Sequence, residues 1–87
     1  MITVRYFAAA RAAAACESEQ VPLSRSLDRA GLVALLTERH PEPPAGEPAL
    51  ATVLEQSSLL VDGRAMRGAD VVASGARVDV LPPFSGG

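Results

Sequence analysis

Four of the chain's seven prolines fall in the stretch Pro41-Glu42-Pro43-Pro44-Ala45-Gly46-Glu47-Pro48. Each proline fixes φ and removes a backbone donor, so the stretch supports neither a helix nor an interior strand. It is therefore a loop, and it divides 87 residues into two parts. A chain of that length has enough apolar material for one core but not for two. The two parts must complete a single domain.

The first part opens on Ile2-Thr3-Val4-Arg5-Tyr6-Phe7, where alternation and β-branched residues predict a strand with Ile2, Val4 and Tyr6 on one face and Phe7 on the other. Ala8 to Ala15, broken only by Arg11, favours helix but has no bulky apolar stripe, which predicts a short helical turn over the sheet edge. Glu17 to Leu23 reads as a second strand, confined by Pro22 to an edge and with its acids toward water. Ser26 is the expected N-cap of a helix from about Leu27 to Arg39, with Asp28 in its first turn. Leu32, Val33, Leu35 and Leu36 form its apolar face, while Asp28, Arg29, Glu38 and Arg39 stay solvated. Pro41 ends it.

After the proline loop, Ala49 to Glu55 fits a short helical turn. Ser58-Leu59-Leu60-Val61 then reads as a strand ending in Asp62-Gly63, a pair suited to positive φ and hence to a hairpin whose return strand is Arg64-Ala65-Met66. Ser74-Gly75 makes a second turn into a last strand, Arg77 to Leu81. Two strands, a crossing helix and further strands predict an α+β fold: a mixed sheet of four to five strands with one main helix packed on one face. That is the outline of a β-grasp domain over residues 1–81, followed by an extended tail, 82–87.

Composition removes several function classes. The net charge is −2 with a sequence pI near 5.2 and only one Tyr and two Phe, which argues against nucleic-acid binding. All eight basic residues are Arg, so no lysine ammonium is present for Schiff-base or P-loop chemistry. Met1 leads straight into a strand, with neither a signal-peptide pattern nor an apolar run of about 18 residues, which points to a cytoplasmic chain without a membrane span. Cys16 has no partner for a disulfide, and one Cys with one His, His40, does not make a zinc site from the usual ligands. Cys16 reads better as a packing residue than as a sulfur relay, and His40 as a helix-end residue.

The end of the chain carries the chemistry. Arg77-Val78-Asp79-Val80-Leu81 runs directly into Pro82-Pro83-Phe84-Ser85-Gly86-Gly87. Six extended residues reach about 20 Å at roughly 3.3 Å each, enough to enter another protein's site while the domain stays outside. Pro82 and Pro83 limit the freedom lost on insertion. Phe84 is best suited to an apolar pocket of a partner, with folding back onto the core as the alternative. Ser85 and Gly86 give clearance, and Gly87, lacking a Cβ, leaves its carboxylate accessible.

Val4-Arg5-Tyr6-Phe7-Ala8 with Arg11, the Val61-Asp62-Gly63 turn and the ending Ser74 to Gly87 together resemble the MoaD/ThiS family of ubiquitin-like sulfur carriers, most closely its molybdopterin synthase small subunits. The resemblance spans nearly the whole chain and is most specific at the two ends. It implies that a ubiquitin-activating-like adenylyltransferase uses ATP to adenylate Gly87, and that a sulfur donor protein converts the acyl-adenylate to a thiocarboxylate. The sulfur then passes to a pterin precursor in the large catalytic subunit of molybdopterin synthase. The chain binds no cofactor itself, and it contributes no complete active site. With Val78 and Val80 toward the core, Leu81 faces out, and with Phe7 and Leu59 it forms an expected partner-binding patch, unless these residues belong to the core. Sulfur delivery for thiamine thiazole or an amino acid, and a β-grasp interaction module with an incidental Gly-Gly end, remain as alternatives.

Overall fold

The computed structural model describes residues 1–83; the readings placed on Phe84, Ser85, Gly86 and Gly87 lie outside the described residues. In chain order the elements are β1 (Ile2–Tyr6), α1 (Ala8–Ala14), β2 (Ser18–Val21), β3 (Leu27–Asp28), α2 (Arg29–Arg39), α3 (Leu50–Gln56), β4 (Ser58–Val61), β5 (Arg64–Ala65), β6 (Val71–Val72) and β7 (Arg77–Leu81). Five strands form one sheet in the order β2-β1-β7-β4-β5, and β3 and β6 form a separate two-stranded pair. The two end strands, β1 and β7, run parallel at its centre, while β1–β2, β4–β7 and β4–β5 are antiparallel. A mixed sheet closed by its terminal strands with helices on one face is the β-grasp arrangement.

Alternation decides the faces. Ile2, Val4 and Tyr6 of β1 are buried together with Val78 and Val80 of β7. Leu59 pairs with Val80, which sends it to the same inner face, where it is 1% exposed. The expectation that Leu59 joins an exposed patch is thereby corrected: the register places Leu60, not Leu59, on the outside, opposite Asp79.

The helical layer is larger than one helix. Leu32 and Leu36 of α2 are buried, as are Leu50, Val53 and Leu54 of α3 and Ala10, Ala13 and Ala14 of α1. α1 packs on α3, and α3 on α2. Alanines without a bulky stripe still join the core, because their small side chains admit close packing against a neighbouring helix. α1 closes on Ala15 in the left-handed region at φ 59, its N–H donating to the Arg11 carbonyl.

Two further local differences have plain causes. Asp28, not Ser26, caps α2: its Oδ1 accepts from the Gly31 N–H at 2.8 Å. Leu27 and Asp28 are drawn into the short pairing with Val72 and Val71, so the helix starts two residues later than its sequence suggests. Arg29 is not left to solvent; its Nη2 donates to the carbonyls of Leu54 and Ser57, at 3.0 and 2.9 Å, satisfying the last turn of α3. The Asp62-Gly63 hairpin forms as expected, with φ of 49° and 83° and Val61 paired to Arg64, the signature of a two-residue type I′ turn.

Candidate functional site

β7 ends beside the end of β1. The Phe7 N–H donates to the Val80 carbonyl at 3.2 Å, so Phe7 and Leu81 follow one another's strands on the outer face, next to Pro82. Phe7 is 38% exposed, Leu81, Leu60 and Pro82 are half-buried, and Pro83 is exposed. An apolar surface therefore surrounds the end of β7.

Arg5 and Asp79 are register partners on the same face. Arg5 donates through Nε and Nη2 to Asp79 Oδ1 and Oδ2 at 2.7 and 3.0 Å, a bidentate fork that fixes both groups. Arg77 approaches Asp79 at 3.8 Å. The Arg5 hydrogen bonds, against the opposing effect of burial, hold the Asp79 carboxyl below its ordinary range and raise the guanidinium. The Arg5 guanidinium carbon lies 5.4 Å from the Phe7 ring centroid, near enough for a cation–π attraction that orients the ring. A rigid ion pair thus sits within the apolar patch. It was missed in the sequence because Arg5 and Asp79 read as ordinary outward positions; the signal was present in the two-residue spacing from Arg5 to Phe7 and from Asp79 to Leu81.

On the inner side of the same sheet end lies a second cluster. Glu19 of β2 turns inward rather than to water. It accepts from the Tyr6 hydroxyl at 2.6 Å, from Arg39 Nε at 2.9 Å and from the His40 ring at 2.5 Å. Burial works to raise the Glu19 carboxyl, but the three hydrogen bonds outweigh it and bring it below the usual value. Burial first, then the bond to Glu19, pushes the Tyr6 phenol far up. The Tyr6 and His40 rings meet edge to face at 5.7 Å and 84°. Cys16 completes the group, its thiol raised by burial and by the Glu19 charge.

The ThiS family profile matches residues 4–87, from β1 through the terminal glycines. The chain belongs to the ThiS family. Three solved structures show the same fold around this ThiS-family sheet. SAMP1 from Haloferax volcanii superposes with a TM-score of 0.74 at 19% identity, covering 99% of this chain and 98% of that one. Molybdopterin converting factor subunit 1 from Pyrococcus furiosus gives 0.72 at 21% identity, over 95% of this chain and 97% of the other. The complex of subunits 1 and 2 of the molybdopterin-converting factor from Helicobacter pylori gives 0.61 at 21% identity, over 99% and 97%. A search of curated proteins found no match. The MoaD/ThiS resemblance and the ubiquitin-like β-grasp fold are thus both supported, and the ThiS-family chain is placed among sulfur-carrier-type proteins. Among the described residues no helix is long and apolar enough to cross a membrane.

Proposed function

We propose that this chain is a sulfur carrier acting through the carboxylate of Gly87. The observation that carries the reading is the family match reaching residue 87; the apolar face of Phe7, Leu60 and Leu81 at the tail's point of departure supports it. The carboxylate is a poor electrophile, since attack adds negative charge to a group that already carries one. A ubiquitin-activating-like enzyme overcomes this by letting a Gly87 oxygen attack the α-phosphate of ATP, which expels pyrophosphate and leaves an acyl-adenylate. The outer sulfur of a donor protein's persulfide then attacks the acyl carbon and expels AMP, and a thiol cleaves the resulting acyl disulfide, which releases the thiocarboxylate and leaves the two thiols joined as a disulfide.

In the preferred form the acceptor is a pterin precursor and this chain is the small subunit of molybdopterin synthase. The likeness to molybdopterin converting factor subunit 1, alone and in complex with subunit 2, favours a large catalytic subunit as the partner. Phe7, Leu60 and Leu81 dock it, the Arg5–Asp79 pair fixes orientation, and Phe84, Ser85 and Gly86 lead the reacting carbonyl inward. A second reading, prompted by the likeness to SAMP1, small archaeal modifier protein 1, is modification of other proteins by the tail.

The test is intact-mass analysis after incubation with an activating enzyme, ATP and a sulfur donor. One oxygen-for-sulfur exchange on the full chain, absent when Gly87 is deleted, is the expected result. Carrier activity that survives the deletion overturns the mechanism. Covalent adducts on other proteins without pterin sulfuration by the mixed subunits favour the second reading.

A further inference from the structure

One cysteine and one histidine by themselves do not hold a metal. The fold adds a carboxylate. Cys16, in the turn between α1 and β2, Glu19 on β2 and His40 at the end of α2 are all half-buried, and one donor atom from each lies within 4.8 Å of the others. We infer that Cys16 Sγ, Glu19 and His40 form a binding site for one zinc-class divalent ion, with the fourth position open to water or an exogenous donor.

The donor set suits that ion. Thiolate, imidazole and carboxylate together select a borderline metal of the zinc type over magnesium or calcium, which prefer all-oxygen shells. A tetrahedral ion with bonds of about 2.0–2.3 Å sets its ligand atoms roughly 3.4–3.7 Å apart. Closure therefore asks Cys16 to move inward by about 1 Å, while the Glu19–His40 contact, now 2.5 Å, opens by a similar amount as the ion replaces the shared proton. Cys16 directly follows Ala15, which ends α1 in a left-handed conformation, so the cysteine is outside the helix, its side chain partly buried at the edge of the core.

The surroundings resemble an outer coordination shell. Tyr6 donates to Glu19 and packs against the His40 ring, and Arg39 fixes the other Glu19 oxygen. Such contacts orient metal ligands and tune their basicity. Charge is also compatible: a thiolate and a carboxylate give −2, Arg39 returns +1, and a divalent ion leaves the site at +1. On binding, the Cys16 thiol releases its proton to solvent, and the His40 ring proton shared with Glu19 transfers through solvent to Nδ1, which frees Nε2 to ligate. No electron transfer is involved.

The experiment titrates the reduced, metal-stripped full chain with Co²⁺ as a spectroscopic probe and then displaces it with Zn²⁺. One Co²⁺ per chain with a near-ultraviolet thiolate-to-cobalt band, and at least about tenfold weaker Zn²⁺ binding in each of Cys16→Ser and His40→Gln, are expected. A cobalt spectrum lacking the thiolate band, unchanged affinity in both variants, or one ion shared by two chains overturns the site. A second measurement does not depend on the variants folding: saturating Zn²⁺ slows alkylation of wild-type Cys16 by about tenfold or more, and an unchanged rate also overturns it.

Discussion

The Tyr6 hydroxyl is the group whose removal best tests the account of the inner cluster. Tyr6→Phe keeps the buried ring, 2% exposed, so no cavity opens and the change is confined to one charge-assisted hydrogen bond of 2.6 Å to Glu19. Such bonds are worth about 1.5–3 kcal/mol, and Glu19 keeps Arg39 and His40 as donors, which argues for the middle of that range, about 2 kcal/mol. For a domain of this size each kcal/mol shifts Tm by roughly 4–8 °C, so the variant melts about 10 °C lower. Urea denaturation at neutral pH followed by circular dichroism gives the free energy directly. The same bond has an alkaline signature. Burial and Glu19 raise the phenol above its ordinary 10.0, so above pH 10 the unfolded chain gives up a proton that the folded chain retains, and stability falls as pH rises. The slope is about 1.4 kcal/mol per pH unit, and Cys16, also raised, adds a slope of the same sign from pH 9. Tyr6 is the one tyrosine and the chain has no Trp, so tyrosinate absorbance reports this residue alone. A loss under about 0.5 kcal/mol in the variant, or free ionisation near pH 10 while the protein is folded, refutes the reasoning.

The acid side behaves oppositely. Glu19 and Asp79 are held below 4.5 and 3.8, so their contribution is complete above those values and is lost as pH falls through the lower folded ones. Urea midpoints should be flat from about pH 7 to 5 and drop steeply toward about pH 3, and an absence of that drop contradicts both networks. Asp28→Ala should cost about 1 kcal/mol by removing the α2 cap, whereas Ser26→Ala should change chemical denaturation little; the reverse ranking restores the sequence-based cap. Leu59→Ala should destabilise by about 3 kcal/mol as a buried-leucine truncation. Leu81→Ala should instead weaken capture of the large subunit in a pull-down while costing under about 1 kcal/mol, and equal stability losses for the two would remove the distinction between core and docking face.

Strand and hairpin positions were legible because they depend on local rules: alternation in Ile2–Tyr6 and Arg77–Leu81, and positive φ at Asp62-Gly63. What stayed hidden depends on register and tertiary approach. Nothing local distinguishes Leu59 from Leu60 until β4 is set against β7. Glu19 and His40 are 21 residues apart, and Arg29 meets the carbonyls of α3 only because α2 and α3 pack together. The short pairing of Leu27–Asp28 with Val71–Val72 has too few residues to leave a periodic trace, yet it moves the start of α2.

The parallel pairing of β1 with β7 bears on biosynthesis. The sheet's central ladder joins strands far apart in the sequence, with Thr3 beside Arg77 and Tyr6 beside Val80. Folding must close nearly the full length of the chain before that ladder stabilises anything. A nascent or prematurely ended polypeptide lacking β7 leaves β1 and β4 without their shared neighbour and the core open on one side. Cellular proteases therefore meet fragments that lack β7 in an unfolded form. The pool of folded molecules is thereby enriched in chains that extend at least through β7.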